Sequence, residues 1–220
     1  MNMQPIAKIA ERNPLVGPLL WVACLQYFIV QYIVAQDWPM PYSTAENTIS
    51  DLANTVCGSE PMRYVCSPLH AYMNGSFIIL GLCMVLGALF LSQQVRHSRG
   101  TVIGFAGLML SGLGTIGVGL FPENVNGLAH VVSAGLPFAL GNLALIVLAF
   151  SLRLGAAQRV YTLLSGFIPL IALVFFLAKI YLGLGVGGIE RIIAYPQTIW
   201  LIVFGIHMMT GNHRLEMAHG

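Results

Sequence analysis

The chain has 220 residues, 57% hydrophobic and 8% charged, with a formal net charge of +2 and a mean hydropathy of +0.79. Soluble domains carry roughly 25% charged residues, so a water-facing surface is excluded for most of the chain and lipid must be its solvent. The small net charge excludes nucleic acid as a partner, and no polar linker or low-complexity stretch interrupts the pattern, so one transmembrane domain over 1–220 is expected.

Six apolar runs are long enough to cross a bilayer as helices of about 20 residues. The first covers about 14–35; it is long and lacks a small-residue cleavage site after it, so no cleavable signal peptide is expected. The others cover about 69–91, 100–120, 127–152, 160–182 and 192–210. Backbone in lipid must satisfy its own hydrogen bonds, which leaves helices or closed barrels, and continuous rather than alternating apolar runs select helices. The third run is rich in glycine (Gly100, Gly104, Gly107, Gly112, Gly114, Gly117 and Gly119), which predicts close helix packing. Pro137 and Pro169 predict kinks in the fourth and fifth helices.

Orientation follows from Lys and Arg. Lys8, Arg12, Arg96, Arg99, Arg153, Arg159 and Arg214 fall on one side, and only Arg63, Lys179 and Arg191 on the other. Asp37, Glu46, Asp51, Glu60, Glu123 and Glu190 lie opposite the basic side. The expected fold class is therefore all-α, a polytopic bundle of six transmembrane helices with both termini cytoplasmic and a long extracytoplasmic loop between helices 1 and 2. Its place is a cell membrane, the inner membrane in a bacterium.

The polar residues gather where that loop meets the bundle. Residues 47–54 (NTISDLAN) are short and amphipathic, and Ser50 or Asp51 suits capping of a surface turn. Glu46 and Asp51, five apart, would share a helical face and so hold a cation or one raised pKa, although each alone reads as structural. His70 and Asn74 form an i, i+4 pair at the top of the second helix. His130 stands near the top of the fourth, after Glu123 and Asn124, and Glu190 and Arg191 precede the sixth after a glycine-rich turn. Ionisable groups at membrane depth are costly and point to function. One shared pocket is expected, roofed by residues 42–66, lined by Asp51, His70 and His130, with Glu190 and Arg191 at its edge. His70, His130 and Asp51 would suit a divalent metal such as zinc, although no tight ligand spacing accompanies them. Ser50 with His and Asp would make a hydrolytic triad, although no GxSxG motif accompanies it. His207 reads as a packed histidine. Cys57 and Cys66, nine apart in the extracytoplasmic loop, predict a disulfide, while Cys24 and Cys83 read as buried hydrophobes.

The succession ENTISDLANT, SPLHAYMNGSFIILGL, GLFPENVNGLAH and GIERIIAYPQTIW resembles the DUF998 family of prokaryotic integral membrane proteins. Its N-x-x-S-D-L stretch is matched by Asn47, Ser50, Asp51 and Leu52, and its second-helix Asn by Asn74. Its G-x-F/L-F-P segment and following His are matched by Gly119, Phe121, Pro122 and His130, and its G-x-x-E-R segment by Gly187 or Gly188, Glu190 and Arg191. The two loop cysteines stand outside the family pattern. The resemblance implies the fold and the site segments, and carries no activity.

Three readings follow. The first is a membrane-embedded hydrolase or lipid-modifying enzyme, with membrane lipid as partner and Arg191 orienting an anionic headgroup. It is loosely similar to the seven-helix ceramidase-like hydrolases, but only six helices are predicted and the His-rich motif of their last helix is absent. The second is a non-catalytic assembly or accessory subunit, partnered by other membrane protein subunits. The third is a small transporter, disfavoured because the bundle middle lacks charge and no inverted repeat is visible.

Overall fold

The computed structural model describes residues 10, 12–60 and 63–210. Lys8 and Arg214 lie outside the described residues. Six helices are long and apolar enough to cross a membrane, the architecture of a multi-pass membrane protein: α1 Val16–Gln36, α2 His70–Ser92, α3 Arg99–Leu120, α4 Gly127–Ser151, α5 Ala156–Leu177 and α6 Gly185–Met209. α1 tightens through a 3-10 turn at Ala23–Leu25. α4 passes through a π turn at Leu136–Gly141, beginning beside Pro137, which has no N–H for the α-helical ladder. Between α1 and α2 a 3-10 turn, Ser50–Ala53, precedes a short antiparallel hairpin of β1 (Gly58–Glu60) and β2 (Arg63–Val65). The Cys57–Cys66 disulfide closes that hairpin at its base.

α2 and α3 are the most deeply covered helices, while α4 and α5 leave most of their surface outside the protein. Glycine permits the closest approach. A Cβ on Gly81 would stand 2.4 Å from the Gly112 carbonyl oxygen, and one on Gly119 2.5 Å from the Asn74 carbonyl oxygen. The α3 glycines are thus packing surfaces, as their frequency predicts. Away from the loop, Trp21 lies against Gly87 and is enclosed by Phe105, Trp200 and Phe204. Polar pairs also join the helices within the apolar region. Between α1 and α2, Gln26 Nε2 donates to the Ser76 backbone carbonyl while Ser76 Oγ donates to Gln26 Oε1, and Gln197 Nε2 donates to Ser111 Oγ at 2.7 Å.

The chain between α1 and α2 is part of the core. Ile49, Leu52, Ala53 and Val65 are each no more than 2% exposed and belong to the main hydrophobic cluster. Ser67 Oγ donates to the Leu52 carbonyl and Asn74 Nδ2 to the Ala53 carbonyl, which pins the 3-10 turn to the top of α2.

Three helix boundaries differ from the sequence expectation by four residues or more. α5 begins at Ala156 rather than near 160, its start capped by Gln158 Oε1, which accepts from Gly155 N. α5 stops at Leu177 rather than near 182, because Lys179, Leu182 and Gly183 all take positive φ and an α-helix cannot pass through them. α6 starts at Gly185, seven residues before the expected 192. Gly187 and Gly188 form its first turn instead of a loop, their N–H groups donating to the Ala45 carbonyl. Glu190 and Arg191 therefore stand within the helix, not ahead of it.

Candidate functional site at the loop end of the bundle

The site begins with the first turns of α6. The open N–H groups of a helix N-terminus need partners, and here the loop backbone supplies one: the Ala45 carbonyl accepts from Gly187 N at 2.7 Å. This contact exists only because residue 187 lacks a side chain; a Cβ would stand 2.1 Å from the Asn47 carbonyl oxygen. The loop is thereby laid across the helix, with Ile49 and Ser50 over Glu190.

Adjacent residues of a helix point about 100° apart, so Glu190 and Arg191 diverge. The Glu190 carboxylate, 5% exposed, accepts from Ile49 N at 2.5 Å and lies 3.4 Å from Ser50 Oγ. Arg191 donates to the carbonyls of Thr44, Asn47 and Gly187 and to the Tyr42 hydroxyl oxygen. Tyr42 in turn donates to the Thr48 carbonyl at 3.0 Å. Burial pushes the Tyr42 phenol well above its ordinary range, although the neighbouring Arg191 charge opposes the rise, so it stays neutral while serving both bonds.

The central contact is Ser50 Oγ to His130 Nε2, at 2.9 Å across two buried side chains. His130 Nδ1 lies 2.9 Å from the Phe121 carbonyl. A carbonyl only accepts, so Nδ1 carries the proton, and in the neutral imidazole Nε2 presents a lone pair to the Ser50 hydroxyl. Asn126 places His130 by capping α4 through Ala129 N. Below Ser50 and Glu190 a cavity of about 50 Å³ runs into the bundle, with Gln197, Thr115 and Thr198 as further polar walls and Phe77 and Phe138 among the apolar ones.

The other expected site residues are placed differently. Asp51 is 0% exposed and closes a reciprocal capping arrangement: its carboxylate accepts from Thr48 N at 2.9 Å, while Thr48 Oγ1 accepts from Asp51 N at 3.0 Å. Asn47 Nδ2 reaches the same carboxylate at 3.5 Å. Glu46 is exposed, whereas Asp51 is enclosed. His70 bonds through Nδ1 to the Ser67 carbonyl at the start of its own helix. Glu123 accepts from Asn54 Nδ2, and Asn124 bonds Thr55, joining the α3–α4 turn to the loop. Among the described residues no three His, Cys, Asp or Glu side chains are placed to hold a metal ion. The set His70, His130 and Asp51 therefore does not come together, because Asp51 and His70 turn to nearby backbone.

Sequence reasoning passed over Tyr42, Thr48, Gln197 and Asn142. The signal for the last two was available: an amide inside an apolar helix is costly and needs a partner. Asn142 is fully buried and donates to the Phe138 and Ile193 carbonyls.

A family model described as "Protein of unknown function (DUF998)" matches residues 16–207, and the chain belongs to that family. No curated protein and no solved structure matches it.

Proposed function

We propose that this DUF998 protein is a membrane-embedded hydrolase acting on an apolar ester or amide, lipid being the natural source, at the extracytoplasmic face. The observation that carries the reading is the Ser50–His130 contact of 2.9 Å, with the Phe121 carbonyl holding the imidazole in the tautomer a general base needs. Ser50 is the nucleophile. As its oxygen attacks the substrate carbonyl, its proton passes to His130 Nε2. The Glu190 carboxylate, beside the same hydroxyl, favours the imidazolium that forms. His130 then protonates the leaving oxygen or nitrogen, and water drawn through the cavity, which has room for a few molecules, releases the acyl group. The carbonyl in place of a third acid side chain differs from a Ser-His-Asp triad; geometry and roles define such sites, not chain order.

The test is covalent labelling of the full chain in lipid nanodiscs with a lipophilic fluorophosphonate, followed by peptide mass spectrometry. Ser50 should carry the label, Ser50→Ala should abolish it, and His130→Gln should slow it by at least about a hundredfold, the usual contribution of a general base. Absence of label at Ser50 in folded protein refutes the reading.

A second reading is favoured by a different observation. Glu190 and Arg191 direct their hydrogen bonds largely at loop backbone, as parts that fasten a loop would in an accessory subunit. On that reading Ser50→Ala changes stability and leaves a fluorophosphonate nothing to lose.

A further inference from the structure

The opposite side of the loop holds a second concavity. A groove of about 800 Å³ lies between the loop-end turns of α1, residues 38–44 and α6, within the size range of small-molecule sites. Arg191 lines it, together with Tyr42, Tyr195, Gln31 and Trp38. The partition between groove and cavity is the loop segment whose Thr44 and Asn47 carbonyls bind Arg191.

Two independent features give this groove a chemistry. First, among the described residues Arg191 bonds to neutral oxygens, three backbone carbonyls and the hydroxyls of Tyr42 and Tyr195, and to no carboxylate. Neutral dipoles position the guanidinium and leave its charge unneutralised by a bonded anion, while Glu190 is engaged on the cavity side. Second, Gln31 is 6% exposed and its Nε2 has no hydrogen-bond partner, although its Oε1 accepts from Tyr195 at 2.8 Å. A buried donor without a partner costs about 1–3 kcal/mol in a folded protein. The wall thus carries a cation and an unmet donor, both suited to anionic oxygen.

The surroundings say what bears that oxygen. Tyr32, 67% exposed, and Met40, 53% exposed, stand at the rim, beside Trp38. Aromatic side chains of this kind belong at the boundary between hydrocarbon and headgroups. Below the rim α1 presents Ile29, Ile33 and Leu25 outward, each about half exposed. That apolar strip runs on from the groove in the direction an acyl chain would take. We infer that the groove binds the phosphate headgroup of an anionic membrane lipid, with Arg191 and Gln31 as its ligands and the α1 face as the track for its chains. The site stands whether or not Ser50 reacts.

The experiment is native mass spectrometry of the full chain in detergent. It is offered equal amounts of a phosphatidylglycerol and a phosphatidylcholine with identical chains, with inorganic phosphate as competitor in a parallel sample. Phosphatidylglycerol should be retained about tenfold over phosphatidylcholine, the ratio that one hydrogen bond to a charged group supports. Arg191→Gln should bring the ratio close to one. Arg96→Gln with Arg99→Gln, at the opposite end, should leave it unchanged. Because Arg191 also holds the loop, Gln31→Leu provides a variant in which the bonds from Arg191 to the loop remain; it should reduce retention severalfold with the protein still folded. Equal retention of the two lipids overturns the proposal, as does a preference that survives both Arg191→Gln and Gln31→Leu. Full displacement of lipid by millimolar phosphate overturns it in favour of a free-anion site. The readout is lipid retention rather than turnover, so loss of fluorophosphonate labelling does not bear on it.

Discussion

Gly187→Ala tests the assembly of the whole site with one methyl group. The Cβ would stand 2.1 Å from the Asn47 carbonyl oxygen, 2.6 Å from its carbon and 2.8 Å from the Thr44 carbonyl oxygen, whereas ordinary contact begins at 3.4 Å. These are backbone atoms, so no rotamer relieves the clash and residues 44–47 must retreat by more than an ångström. That retreat stretches the bonds from Gly187 N to Ala45 and from Arg191 to Thr44 and Asn47. Each contributes about 1 kcal/mol, more for those made by the guanidinium. Gly→Ala within a helix returns roughly 1 kcal/mol. The expected net loss is about 2–3 kcal/mol, together with loss of Ser50 labelling, because Ile49 and Ser50 move with residues 44–47. Gly188→Ala is the internal control: its Cβ meets only Leu184 Cβ, at 3.2 Å, so it should be at least as stable as the parent, gaining up to about 1 kcal/mol of helix propensity. Reversible unfolding in mixed micelles, followed by circular dichroism, measures both. Equal stability of the two variants would refute the docking of the loop on α6 described here.

The Cys57–Cys66 bridge closes a loop of sequence separation 9, for which chain-entropy arguments give about 2–3 kcal/mol. Unreduced protein should show both residues in one cross-linked peptide, and the Cys57→Ser, Cys66→Ser double variant should lose that much stability; free thiols in protein prepared without reductant would contradict it. The excess of Lys and Arg on one side predicts that the α1–α2 loop is extracytoplasmic. A cysteine placed at exposed Met40 should therefore react with an impermeant maleimide on intact cells, while one at Arg153, between α4 and α5, should not. The reverse pattern overturns the orientation and moves both proposed sites to the cytoplasmic face.

Much of the fold was legible because lipid simplifies the problem. A run of about 20 apolar residues has one way to satisfy its backbone across a bilayer, so six helices could be counted without knowing which touch. The cysteine pairing was equally local, since two cysteines in one short loop had few other choices. The capping role of Asp51 was legible too, though Thr48, three residues earlier, supplies the other half of the box.

The start of α6 misled because a glycine-rich run reads as a turn when only neighbours along the chain are considered. Gly185 does turn, with φ +73, but Gly187 is glycine because the distant loop backbone at Thr44 and Asn47 lies against it. That long-range contact decides where Glu190 and Arg191 point. The same holds for the histidines. His70 and His130 look equivalent in sequence, each near the top of an apolar helix. His70 bonds three residues back, to the Ser67 carbonyl, while His130 finds Ser50, separated by 80 residues. Hydrophobicity and run length are properties of each segment alone, so the apolar helices and the polar residue types between them could be read directly along the chain. Which of those polar groups meet could not be read that way, because a hydrogen bond needs its partner within about 3 Å, and that distance is set by helix packing and loop docking rather than by position in the chain.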